Sequence, residues 1–312
     1  MERARGTRIT WDDLPDRVKA AIEENLGGRV VETLDQAGGF SPGLATRVRA
    51  ENGARAFVKA ASQDLNPITP DIHRREARVA PALPPDAPVS HLVWVYDEGE
   101  DGWVVLAFAD VDGHIPACPW EPDELRRVVD GIVRMHAALT PCPIQLPTAG
   151  SHFATGLRGW SRLTGDERGL DAWSRTHLTA LAALEADAPH ATAGETLLHL
   201  DLRADNILLT EDDIVVVDWP NASIGAPWVD MLCMAPSVTL EGGPDPETFV
   251  AMHPAVRDAD PRKVDAVLAS LTGYFTRQAL QPDPPGLPTL RAFQAAQGEV
   301  CRLWLAGRLG LR

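Results

Sequence analysis

The segment His199-Leu200-Asp201-Leu202-Arg203-Ala204-Asp205-Asn206 sets a carboxylate and a carboxamide in one short loop, and Asp218 follows at the end of the apolar run Ile214-Val215-Val216-Val217. These are the residue types that phosphoryl transfer requires. The reaction depends on in-line positioning and neutralisation of spreading negative charge more than on covalent help. Asp201 is the candidate base for the proton of an attacking hydroxyl. Asn206 and Asp218 are the candidate Mg²⁺ ligands, and few protein ligands are expected because Mg²⁺ keeps several waters. His199 is expected to pack and hydrogen-bond in support of the loop. Asp and Asn at strand ends also cap turns, so it is the three residues at their joint spacing that point to chemistry.

These side chains need elements that bring them together. Ile207-Leu208-Leu209 and Ile214-Val215-Val216-Val217 read as short strands around the turn Thr210-Glu211-Asp212-Asp213. A hairpin of this size returns Asn206 and Asp218 to the same end of a strand pair, as two ligands of one metal site require.

With these motifs in place, the chain resembles the aminoglycoside phosphotransferase and choline kinase superfamily, the small-molecule branch of kinase-like proteins. The resemblance is carried by residues 199–206 and Val217-Asp218-Trp219. Gly225-Ala226-Pro227-Trp228-Val229-Asp230 looks like the family stretch whose last Asp braces the catalytic loop, and Val133-Arg134-Met135-His136 like a helix ending in Leu-His. The resemblance spans about residues 35–310. There are departures: Leu200 stands where the family often has Gly, Arg203 and Ala204 where it has His or Pro, and Pro220 and Ala226 where many members are acidic. None of these removes a candidate base or metal ligand, but they loosen any close match to a particular substrate.

The resemblance also implies a nucleotide clamp in the first part of the chain. Gln36-Ala37-Gly38-Gly39-Phe40-Ser41-Pro42-Gly43 lies between strand-like segments 29–34 and 45–50. Backbone N–H groups around Gly39 and the Ser41 hydroxyl could cover phosphate oxygens there; read alone, the stretch is equally an ordinary hairpin turn. Arg55-Ala56-Phe57-Val58-Lys59-Ala60 reads as a third strand with one Lys among apolar residues. By resemblance Lys59 binds the α- and β-phosphates and is held by Glu76 on the next helix, expected over 71–82; Arg74, Arg75 and Arg78 are rival partners for Glu76. The apolar strand 103–109 is implied to be the hinge, with Ala107 to Ala109 reading the adenine edge through their backbone.

The expected fold is α+β, a bilobal protein-kinase-like arrangement. Residues 1–109 form an antiparallel-sheet lobe for the nucleotide, preceded by a helix capped at Thr10 and Asp13. Residues 110–312 form a larger, mostly helical lobe with the catalytic loop and acceptor pocket. Helices are expected over 121–139, 174–186, 230–238, 261–279 and 289–309.

The chain has 312 residues, 45% apolar and 23% charged, enough for a sizeable core. A formal charge of −15 argues against nucleic acid as partner. No apolar stretch has the length of a membrane span, and the first residues show no secretory signal. Four widely spaced cysteines, Cys118, Cys142, Cys233 and Cys301, read as free thiols in a reducing cytoplasm.

The expected function is ATP- and Mg²⁺-dependent phosphorylation of a hydroxyl on a small molecule, with GTP as an alternative donor. An aminoglycoside-like or other antibiotic is one class of acceptor. Trp160, Asp166, Glu167, Trp173, Glu241, Asp245 and Glu247 are the acidic and aromatic groups that could hold a cationic acceptor. A nucleotide-binding pseudokinase serving as scaffold or sensor is the alternative, disfavoured by the intact Asp201, Asn206 and Asp218. A protein kinase is disfavoured because Trp219-Pro220 follows Asp218 where Phe-Gly would stand.

Overall fold

A turn at residues 51–54, with Gly53 at φ +86°, folds β2 (Leu44–Ala50) back on β3 (Arg55–Ala61). The computed structural model describes residues 8–36, 42–284 and 287–311. β1 (Val30–Asp35), β4 (Leu92–Asp97) and β5 (Val104–Ala109) complete a five-stranded antiparallel sheet of order β1-β2-β3-β5-β4. β5 is central and almost wholly buried, whereas β4 lies at the edge, with side chains alternating between half-buried and exposed. No strand was expected at β4, although Leu92-Val93-Trp94-Val95-Tyr96 is itself a continuous apolar run.

One face of the sheet is covered by α1 (Asp16–Leu26), whose Val18, Ile22 and Leu26, together with the preceding Leu14, pack on Val48, Val58 and Val105. The Thr10–Asp13 capping box forms, but on a single 3₁₀ turn at Trp11–Asp13. The α-helix starts only after Pro15, which suits a helix start because it has no N–H to satisfy. Gly27, at φ +71°, ends it. The other face carries α2 (Thr69–Val79), which brings Glu76 under β3.

Beyond β5 the chain is mainly helical: α3 (Pro122–Ala138), α4 (Ala149–Thr155), α5 (Trp160–Leu163), α6 (Ala172–Glu185) and α7 (Ala188–Ala191), then α8 (Trp228–Leu240), α9 (Pro246–Val250), α10 (Pro254–Arg257), α11 (Pro261–Ala279) and α12 (Leu290–Leu309). Among the described residues no helix is long and apolar enough to cross a membrane. Trp160 lies at the centre of this core, fully buried, and its indole N–H donates to Ala269 O at 2.8 Å. Burying such a side chain contributes about 2–3 kcal/mol only while its polar N–H is satisfied.

Four short strands lie between the sheet and the helices. β7 (Ile207–Leu209) and β8 (Ile214–Val216) form the expected hairpin, and β6 (Thr196–Leu198) pairs with β9 (Ser223–Gly225). The hairpin is tied to the linker before β4, where Ser90 N–H donates to Val216 O at 3.0 Å. Among the described residues no disulfide joins any of the four cysteines.

Candidate active site

The loop after β6 and the end of the β7–β8 hairpin converge beneath the sheet. Leu200 has φ +59° and Asp218 φ +72°, a region that L side chains avoid. Leu200 stands where the resemblance expects Gly, so its conformation must be imposed by its surroundings. Asp230, buried at the start of α8, supplies the restraint: its Oδ1 accepts the Leu200 N–H at 2.7 Å and its Oδ2 accepts the His199 N–H at 2.9 Å. His199 joins the two segments. Its Nδ1 accepts the Asp201 N–H at 3.2 Å, so Nε2 carries the proton and donates to Val217 O at 2.9 Å.

Asn206 is buried, and its Nδ2 donates to the Asp201 carbonyl at 2.8 Å. That bond orients the amide and leaves Oδ1 as the atom available to a hard cation. Asp218 receives Lys59 Nζ on Oδ1 at 2.9 Å. The same ammonium lies 2.9 Å from both oxygens of Glu76, and Glu76 Oε1 also accepts the Trp219 N–H at 3.2 Å. Burial opposes the charge on Asp218, but Lys59, with His199 and Arg203, more than offsets it and holds this carboxyl at about 2. Burial likewise opposes the charge on Lys59, and Asp218 and Glu76 together raise its pKa above the ordinary value. Burial pushes Glu76 the other way, toward its neutral form, against the pull of Lys59.

These groups line a cavity of about 180 Å³. Lys59, Glu76, Asn206 and Asp218 are on its wall, with Ala109 and Val111 where β5 leaves the sheet. Gly39 and Ser41 lie outside the described residues. The expectation for Ala107 is corrected. It is fully buried between Val58 of β3 and Trp94 of β4 and is not part of the lining, because a central strand uses its backbone on both sides. Ala109 does reach the cavity, but its N–H donates to His91 O at 2.9 Å.

Asp201 is not part of that lining but adjoins it, its carbonyl bonded to Asn206 and its carboxylate within the field of Asp218. Arg203, which sequence reasoning noted only as a departure, donates to Asp201 Oδ1 at 3.1 Å and to both oxygens of Asp205 at 2.9 and 3.1 Å. Burial raises the Asp201 pKa, and Arg203 works against that rise. Tyr274 on α11 was missed altogether. Burial, followed by the charge of Asp201, pushes its hydroxyl upward. Nothing in the local sequence marks a Tyr within a long helix as a neighbour of this loop.

Most of the residues expected to hold a cationic acceptor have their side chains engaged elsewhere. Trp160 is core, Asp166 pairs with Arg168 at 2.7 Å, and Asp245 caps α9. Glu247 bonds Arg308 and Trp304, and Trp173 packs on His177 and Arg302. Glu241 offers its backbone carbonyl to the Trp120 N–H.

Compared with known proteins, residues 37–269 match the model of the phosphotransferase enzyme family. No curated protein sequence matches the chain. Solved structures with a similar fold include a choline/ethanolamine kinase family protein from Mesorhizobium loti, 14% identical, with a TM-score of 0.61 and 93% of this chain and 94% of that one covered. A thermostable mutant of an aminoglycoside phosphotransferase, in ternary complex with ADP and hygromycin B, is 15% identical, with a TM-score of 0.61 and coverage of 92% and 97%. A choline kinase from Streptococcus pneumoniae is 12% identical, with a TM-score of 0.60 and coverage of 94% and 100%. These likenesses show the α+β kinase-like fold.

Proposed function

Because the chain belongs to the phosphotransferase enzyme family, we propose that it transfers the γ-phosphoryl group of ATP to a hydroxyl of a small molecule. The observation that carries this reading is the meeting of Lys59, Glu76, Asn206 and Asp218 on one cavity wall, with Asp201 just beyond it. In this reading residues 1–109 hold the nucleotide and residues 110–312 the catalytic loop and acceptor.

Lys59 contacts the α- and β-phosphates, and Glu76 keeps its ammonium in place. The N–H of Val111 and the carbonyl of Ala109 replace Ala107 as the backbone groups facing the base. Asn206 Oδ1 and Asp218 are the ligands for Mg²⁺, and an amide oxygen with an ionised carboxylate suits a hard cation. The chemistry Mg²⁺ supplies there is neutralisation of phosphate charge. Asp201 accepts the hydroxyl proton of the acceptor, and Arg203 opposes the effect of burial and orients its carboxylate before the acceptor arrives.

The acceptor is a small hydroxyl-bearing compound. An antibiotic of the aminocyclitol type is the finer proposal, prompted by the neighbour solved with hygromycin B. A cytoplasmic site of action accords with the lack of a disulfide among the described cysteines. The test is transfer of labelled γ-phosphate from ATP or GTP, with Mg²⁺, to a panel of aminocyclitols, amino alcohols and sugars. A labelled product that disappears in Asp201→Asn supports the reading. Absence of both transfer and nucleotide hydrolysis across the panel would point instead to a binding-only protein.

A further inference from the structure

Behind the catalytic loop lies a buried chain of imidazoles that the transfer reaction does not itself use. His253, at the start of α10, is 3% exposed, and its Nδ1 accepts the Ala255 N–H at 3.1 Å. Its Nε2 lies 3.2 Å from His136 Nδ1, and His136 Nε2 lies 3.1 Å from Asp230 Oδ2. Burial, followed by the adjacent His136, depresses the His253 pKa to about 4, so its ring is neutral.

A backbone N–H can only donate, which assigns every proton in the chain. His253 Nδ1 accepts, so the single proton of its neutral ring is on Nε2 and donates to His136 Nδ1. His136 then carries a proton on Nε2, directed at the Asp230 carboxylate. Asp230 in turn accepts the N–H groups of His199 and Leu200, and so holds Leu200 at positive φ directly before Asp201.

We propose that His253 is a positioning residue for phosphoryl transfer, anchoring the His136 ring at Nδ1 and through it the grip of Asp230 on the catalytic loop. This rests on the reading of Asp201 as the base. Without the His253 proton, Asp230 still draws the His136 proton to Nε2, but His136 Nδ1 is left as a buried acceptor with no donor and the ring loses the partner that fixes its angle. A tilted His136 would loosen Asp230 and displace Asp201, while leaving the Lys59–Glu76 pair on the nucleotide side in place. Displacements of about 1 Å at a reacting group cost on the order of 10²-fold in rate.

The test combines ¹⁵N NMR of the histidine rings with two variants. In the wild-type protein His253 and His136 should both show protonated Nε2 and bare Nδ1; the opposite tautomer at either ring overturns the proposal, whether or not any variant folds. His253→Leu should speed amide exchange at His199 and Leu200 at least tenfold. It should also lower kcat of Mg²⁺–ATP turnover about 10- to 100-fold, with KM for ATP within twofold. His253→Gln, which keeps a donor N–H, should restore both. Unchanged exchange at those two amides in a folded His253→Leu protein, or a Gln variant no better than Leu, overturns it. Absence of any turnover in wild type would instead sink the base assignment, while the tautomer and exchange results still judge His253.

Discussion

Lys59 Nζ lies 2.9 Å from Asp218 Oδ1, so the cation proposed to receive phosphates is already paired with the carboxylate proposed to hold the metal. The two belong to different parts of the chain and meet only across the cavity. Glu76 completes the triad from α2, and its second contact, to the Trp219 backbone, ties the helix to the segment that presents Asp218.

Replacing Lys59 therefore does more than remove a phosphate contact. Lys59→Met leaves two carboxylates without their shared cation, at a cost of about 3 kcal/mol. Thermal or urea denaturation should register that loss, and adding Glu76→Gln in the same chain should recover part of it. A Lys59→Met protein as stable as wild type would show that the triad contributes little to folding.

Asp201→Asn should lower kcat by ~10²–10⁴-fold, the usual effect of losing a general base. Nucleotide binding should be nearly unchanged, because Asp201 stands outside the cavity lining. The comparison to make is kcat against the dissociation constant for Mg²⁺–ATP in the same preparation. Intact turnover would remove Asp201 from the base role.

Asp218→Ala should abolish the Mg²⁺ dependence of nucleotide binding. A ligand at one hundred times its dissociation constant stabilises the native state by about 2.7 kcal/mol. Wild type should show such a shift with ATP only when Mg²⁺ is present, and the variant should show the same small shift with or without it. A full Mg²⁺-dependent shift in the variant would place the metal on other residues.

The buried histidines make stability fall in acid. His73 on α2 is driven to about 3, mainly by burial, with Lys59 adding to the effect. Its folded pKa lies below the unfolded value of 6.5, so the unfolded chain takes up the proton first as pH falls. The stability is present in full above 6.5 and is lost progressively on the way down to 3, by about 3 kcal/mol near pH 4. His253, held at about 4, acts in the same direction. Melting temperatures between pH 7 and pH 4 should decline, and His73→Gln should flatten the slope. An equally steep decline in that variant would assign the acid sensitivity to other groups.

The catalytic hairpin was legible because its geometry is local. Strand periodicity and a short turn are enough to set Asn206 near Asp218, whereas Lys59 beside Glu76 was implied only by the resemblance to kinase-like proteins. The expected helix over 261–279 coincides with α11 for the same reason: apolar spacing reports a helix wherever one face is buried. Ala107 shows where this reasoning stops. Whether a backbone group is free depends on which strands flank it, and the pairing of β5 with β4 is a long-range contact that local spacing does not report.

By itself, the order of residues determined the chemistry on offer: a candidate base, two candidate oxygen ligands and a lysine, carried on or next to predictable strands. Tertiary structure alone decided which side chains surround them. Trp160, Asp166 and Glu247 found partners within the helical part and away from Asp201, while Tyr274 arrived from a helix with no local reason to be there. His253 reaches His136 across 117 residues. Spacing along a chain encodes the period of one element, whereas a contact between elements depends on how their buried faces pack, and that is settled by the core as a whole.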